Sequence, residues 1–236
     1  MLSSPLPPPP SLLPLTLMQR VLEPEVMDSW EEAIEYDSMD FTEVNTAFAE
    51  KAITLAPATA KVLDAGTGTA RIPIIICQQR PQWQIIGIDL AQSMLEVGLK
   101  NVTQAGLQQQ ISLELVDAKQ MPYLDGQFDL VISNSIVHHL PDPLPFFLEI
   151  KRVLKPNGAI LIRDLIRPAN QEIINHLVEG IGSDYNEHQK KLFSDSLHAA
   201  FTLDEVQYLL EQTGLDHAKV YQSSDRHWTA ERALIG

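Results

Sequence analysis

The 236-residue chain is 44% hydrophobic with a formal net charge of −14, enough apolar material for one α/β domain and a small extra layer. That acidity argues against a nucleic-acid partner, whose phosphates are neutralised by lysine and arginine, and the chain has no basic run. Cys77 is the sole cysteine, so an internal disulfide is excluded and a reducing, cytoplasmic setting is expected.

The first seventeen residues, MLSSPLPPPPSLLPLTL, hold six of the sixteen prolines. They lack the basic start and unbroken apolar run of a signal peptide. A disordered, polyproline-like tail is expected over residues 1–17, or sequence upstream of a start at Met18. No apolar run reaches the roughly 20 residues that a bilayer span requires. Residues 18–57 are expected to form a helical cap. Within it, Ser29 and Glu32 have capping-box spacing, and a second helix runs from Glu43 to Leu55 and stops before Pro57.

Residues 58–236 form the main domain, where short apolar strands alternate with helices. The strands are Lys61–Ala65, Gln84–Ile88, Ile111–Val116, Phe128–Ser133 and Ala159–Arg163. Their near-continuous apolar character implies a parallel sheet covered on both faces, hence a doubly wound α/β fold. Thr202 and Glu205 form another capping box, and the helix they open ends at Gly214. Residues 216–222 and 228–235 then pair as a hairpin across Ser223–Arg226.

Between the first strand and its helix lies Asp64-Ala65-Gly66-Thr67-Gly68-Thr69-Ala70. Glycines there let the backbone turn tightly and approach a ligand closely. Asp89 follows about 20 residues later, at a strand end, where a carboxylate can accept both ribose hydroxyls of a nucleoside cofactor. A nicotinamide dinucleotide needs a third glycine for close packing, and Arg71 stands at that position. S-adenosylmethionine carries no phosphate, and an arginine here can pair with its carboxylate while acids suit its ammonium. Asp117 and Ala118, at the third strand end, offer an acceptor and an N–H to an adenine edge. A plain turn and solvated strand ends would account for any one of these features singly. Acids ending three successive strands favour a ligand site.

These segments resemble the class I S-adenosylmethionine-dependent methyltransferases, in particular the small-molecule branch with the quinone and sterol methyltransferases. VLDAGTGTARIP is similar to the family's first motif, IIGIDLAQSML to the segment with the ribose-binding acid, and LVDAKQMPYLDGQFDLVISN to the adenine-side motif. SIVHHLPDPLPFFLEIKRVLKPNGAILIRDL is similar to the helix, Lys-Pro-Asn-Gly turn and fifth strand. The resemblance implies a mostly parallel seven-stranded sheet ending in an antiparallel hairpin. It implies S-adenosylmethionine as cofactor, with Gly66, Thr67 and Gly68 against the methionine part and Asp64 supporting the loop. Asp89 would take the ribose, Leu90 and Met94 would border the adenine, and Asp117 and Ala118 would read its edge. Asn134 would hold the ammonium through its carbonyl. Ala70 replaces a common glycine, and Asn134-Ser135-Ile136 departs from the Asn-Pro-Pro-aromatic signature of the amide- and amine-modifying branches.

The acceptor site is less legible. His138 and His139 follow the fourth strand at the rim, where an imidazole could serve as base, or simply pack and cap. Tyr36 in the cap could close over the methionine end. Arg163, Arg167 and Arg226, with His198, could clamp an anionic small-molecule acceptor, although pairing with Asp164 or Asp225 would explain the arginines equally well. No His-x₃-His or Cys/His spacing suggests a metal. The expected activity is methyl transfer, the alternatives being a non-catalytic S-adenosylmethionine-binding protein and a nicotinamide-dependent oxidoreductase.

Overall fold

The computed structural model describes residues 18–23, 29–182, 185–215 and 217–234. The proline-rich tail therefore lies outside the described residues, as do Asp184, Asp216 and the last two positions. Five parallel strands, β1 (Lys61–Ala65), β2 (Gln84–Asp89), β3 (Ile111–Leu115), β4 (Phe128–Asn134) and β5 (Leu154–Leu165), are joined by β6 (Lys219–Gln222) and β7 (His227–Arg232). Their order across the sheet is β3-β2-β1-β4-β5-β7-β6, with β7 antiparallel to both its neighbours. The chain leaves β1 towards β2 and returns beyond it to β4, so the strand order reverses between β1 and β4. That switch point opens a crevice at the carboxyl ends of both strands, where ligands bind in folds of this kind.

Two apolar clusters cover the two faces. Helices α2 (Thr42–Leu55) and α3 (Arg71–Gln79) bury Phe48, Ala52, Ile76 and Cys77 against Val62, Leu130 and Leu161. On the other face α5 (Leu144–Val153) and α8 (Leu203–Gln212) bury Phe146, Phe147, Ile150 and Leu210 against Leu63, Val131, Ile160 and Trp228. The Lys155-Pro156-Asn157-Gly158 segment is looped out of the ladder, because pairing between β4 and β5 jumps from Phe128–Leu154 to Leu130–Ala159.

The cap differs from expectation at its start. Helix α1 (Trp30–Ser38) begins at the Ser29–Glu32 capping box as expected, and packs Ala33 on Met94 and Val97 of α4 (Gln92–Gln104). Residues 18–23, however, are not helical. They form a strap tied down by Arg20, whose guanidinium donates to the carbonyls of His138, Leu140, Pro141 and Ala199 and lies over the Phe201 ring. Four such bonds outweigh any helical preference of so short a segment. Between β5 and α8, helices α6 (Gln171–Gly180) and α7 (Glu187–Ala199) pack Ile174, Leu177 and Leu197 on Leu165 at the carboxyl end of β5.

Candidate active site

The glycine loop leaves β1 in the left-handed conformation at Gly66 (φ 79°) and again at Gly68 (φ 53°). A Cβ on Gly66 would stand 2.9 Å from Ile136, so the position needs glycine for space as well as torsion. The amides of Gly66 and Thr67 both donate to the Ile88 carbonyl, which anchors the loop to the neighbouring strand. Asp64 is buried and accepts a 2.7 Å bond from the Thr67 hydroxyl. Burial pushes its pKa up to about 7, well above the usual carboxylate range.

Asp89 ends β2 with one oxygen accepting the Gly68 amide at 2.8 Å and the other accepting the Ala91 amide at 3.0 Å. Each carboxylate oxygen keeps a second lone pair for a ribose hydroxyl. Asp117 pairs with Lys119, which is a competing partner close at hand, while Ala118 is buried beside it. Leu90 is 56% exposed at the rim and Met94 is buried under α1. None of these five residues lines the enclosed cleft. That cleft is formed by Tyr36, Asp64, Gly66, Gly68, Arg71 and Asn134, among others. A more open hollow lies at the far end of the sheet, beside Lys61, Gln84 and Ile111, away from the strand ends where the acids gather.

Tyr36 reaches over the loop, its ring 3.9 Å from where a Cβ on Gly68 would sit, and stacks obliquely on Phe41. Arg71 lines the cleft with its guanidinium already paired. Its guanidinium donates to both the side chain and the carbonyl of Asp37, which also accepts from Asn101. Arg71 thus joins the cap to α3, a role that Asp37, unnoticed in the sequence, dictates.

At the end of β4, Asn134 lines the cleft and accepts from the Arg163 guanidinium at 2.8 Å. Arg163 donates also to the Val44 carbonyl and sits 4.8 Å from the Phe48 ring centre. Among the described residues it has no carboxylate partner, and burial lowers its pKa to about 10. A 3₁₀ turn, Val137–His139, then presents the two histidines. His138 is 4% exposed, and its Nδ1 stands 2.5 Å from the carboxylate of Asp164, which ends β5 and also accepts the backbone amides of Val137, His138 and Leu165. Burial alone would lower the His138 pKa, but the charge and hydrogen bond of Asp164, together with the Glu23 charge, outweigh it and raise it. His139 is half-exposed and pairs through Nδ1 with Glu23 of the strap. The sequence offers no signal for Glu23, which is joined to the histidines only by the strap's return across α7.

The remaining arginines separate. Arg167 is buried and bonded to the Ala200 carbonyl and to Glu205, which holds α8 to the sheet. His198 is likewise engaged, with Ser194 and Gln171. Arg226 pairs with Asp225 at the hairpin turn and lies 5.7 Å from the Phe193 ring centre. Next to it is His227, paired in register with Leu165. Burial, then the positive charges of Arg163 and Arg226, lower the His227 pKa to about 4.

A doubly wound sheet with a glycine loop and a strand-end acid at its switch point defines a nucleoside-cofactor fold of the methyltransferase class. Residues 58–218 match the family described as a methyltransferase domain, and the chain belongs to it. It is 36% identical over 109 residues to a demethylmenaquinone methyltransferase of Lactobacillus johnsonii, covering 46% of this chain and 45% of that protein. It is 26% identical over 206 residues to the 27-O-demethylrifamycin SV methyltransferase of Amycolatopsis mediterranei, covering 83% and 71%. The fold is shared with a SAM-dependent methyltransferase structure from Aquifex aeolicus, at a TM-score of 0.64, 19% identity, and coverage of 88% and 99%. The matched part spans about half the length of the first curated relatives. Among the described residues no helix is long and apolar enough to cross a membrane.

Proposed function

We propose that the protein transfers a methyl group from S-adenosylmethionine to a small-molecule acceptor by in-line displacement. The observation that carries this reading is the bond from the Gly68 amide to Asp89, which draws the glycine loop and the acid at the end of β2 together at the switch point. The donor set suits this cofactor. Acids and carbonyls face the ammonium and ribose, while the third-glycine position that a dinucleotide needs is filled by Arg71, held on Asp37. When bound, S-adenosylmethionine supplies an activated methyl carbon on a sulfonium. The chain's task is then to hold the acceptor in line and to exclude water. Tyr36 and the cap helices roof the methionine end for that purpose.

On the acceptor side, His138 and His139 take the proton of any hydroxyl or amine that must lose one, with Asp164 fixing the His138 ring. Arg163, half-buried without a carboxylate partner among the described residues, and Arg226 at the hairpin turn favour an acceptor with an anionic group. The net charge of −14 favours a small molecule over nucleic acid. A cytoplasmic location is supported by cysteine usage, since Cys77 is the sole cysteine and an internal disulfide is excluded. Calorimetry with S-adenosylmethionine, S-adenosylhomocysteine and NAD tests the cofactor; failure to bind either sulfur nucleoside rejects the reading. Turnover against anionic and neutral acceptors tests the rest, and binding without any turnover would favour a non-catalytic role.

A further inference from the structure

Glu23, His138 and His139 meet at the acceptor rim, and their ligating atoms all lie within 4.8 Å of one another. We propose that they form a binding site for one divalent transition-metal ion of the zinc class. The set is two imidazoles and one carboxylate, which suits such ions and not the oxygen-seeking alkaline earths.

Four observations point the same way. His138 is 4% exposed, and its Nε2 stands 4.0 Å from the Glu23 carboxylate, beyond hydrogen-bond reach. Its other nitrogen faces Asp164 at 2.5 Å, which holds a proton on Nδ1 and turns Nε2 towards Glu23. Asp164 is itself locked by three backbone amides, the outer support that metal-bound histidines typically have. The Ser196 hydroxyl donates to Glu23 in the same way from the other side.

The charges agree. Glu23 and Asp164 bring two negative charges to two imidazoles, and Arg20 returns one positive charge, shared among four carbonyls. With neutral imidazoles the pocket is left negative and suits a dication. Ligand atoms around a tetrahedral zinc-class ion lie about 3.3 Å apart at bond lengths near 2 Å, so the cluster needs to tighten by about an ångström. The strap carrying Glu23 can supply that movement. His139 is half-exposed, which leaves a fourth position open towards solvent and acceptor. Ile136, two residues before His138, packs on Gly66, so this position lies on the cofactor's side of the rim. If the methyl-transfer reading holds, an acceptor hydroxyl bound there loses its proton more readily, and the imidazoles act as ligands in place of bases.

Metal binding is measured without turnover. The full chain, stripped with a chelator and dialysed, is titrated with Co²⁺ while its visible d–d absorption is followed, and then competed with Zn²⁺. One equivalent of Co²⁺ is expected, displaced by Zn²⁺. His139→Gln and Glu23→Gln should each weaken binding at least 100-fold, and Asp164→Asn about 10–100-fold. His176→Gln, on exposed α6, should leave it unchanged. His139 is half-exposed, so its variant keeps the test decisive if Asp164→Asn fails to fold. Absent stoichiometric binding, or equal binding by His139→Gln, overturns the proposal. Calorimetry with S-adenosylmethionine on the metal-free protein reports separately on the cofactor site, so either reading can fail alone.

Discussion

The Gly68 amide donates to the Asp89 carboxylate at 2.8 Å, joining two residues 21 positions apart in the chain. Asp89 therefore shapes the loop, besides the ribose-binding role proposed for it. Asp89→Ala should weaken S-adenosylmethionine binding by about 1.5–3 kcal/mol, the usual cost of losing charge-assisted hydrogen bonds. Asp89→Asn, which keeps one acceptor oxygen, should lose less. Titration calorimetry decides it, and an unchanged affinity for Asp89→Ala would remove this residue from the site.

Asp64 gives a pH signature. An aspartate in the unfolded chain ionises near pH 4, whereas the folded chain holds this proton up to about pH 7. As pH rises between those values the unfolded state loses the proton and the folded state keeps it, so stability falls across the window and then levels. Asp64→Asn removes that loss. The variant should be more stable than the parent at pH 8, by up to about 4 kcal/mol, with the difference fading towards pH 4. Urea unfolding at several pH values tests this; a constant offset would contradict it.

His227 has the opposite slope. The unfolded imidazole protonates near pH 6.5, the folded one only near 4, so stability is lost as pH falls through that interval. His227→Gln should flatten this limb, retaining up to about 3 kcal/mol more than the parent at pH 4. If burial and the two arginines do not act on this ring, parent and variant will follow the same acid curve.

Much of this was legible in the sequence because it rests on local rules. Apolar strands, left-handed glycines and the Ser29–Glu32 and Thr202–Glu205 boxes depend on neighbours a few residues away, and all are in place. The strap from Met18 to Glu23 was not legible, since its shape comes from Arg20 grasping carbonyls over a hundred residues distant. The same holds for arginine partners. Asp164 is adjacent to Arg163 in sequence, yet alternation along β5 turns the two side chains to opposite faces, and Asp164 meets His138 instead. Arg71 met Asp37 from a helix whose packing no short-range rule specifies.

The two acceptor-side arginines should behave differently in kinetics. Arg226, at an exposed turn, should on replacement by alanine raise KM for an anionic acceptor about 3–10-fold and leave cofactor affinity intact. Arg163→Gln should raise it further, about 10–100-fold, because a half-buried cation is less screened than one at an exposed turn. Initial-rate kinetics at two salt concentrations separate the cases; equal KM values for parent and both variants would exclude an anion clamp.

Strand β7 runs against its neighbours, and its two ends carry unrelated duties. At its finish, Arg232 is buried and clasps the Gly158 carbonyl with two bonds, at the end of the sheet remote from the cofactor loop. At its start, His227 and the turn before it arrive beside the carboxyl end of β5. A strand entering in parallel would have delivered its beginning to the far end. The reversal lets a four-residue turn, Ser223–Arg226, be lengthened or rewritten without disturbing a ladder already secured from below. The sequence of that turn can thus drift while Trp228 and Ala230 keep the core unchanged.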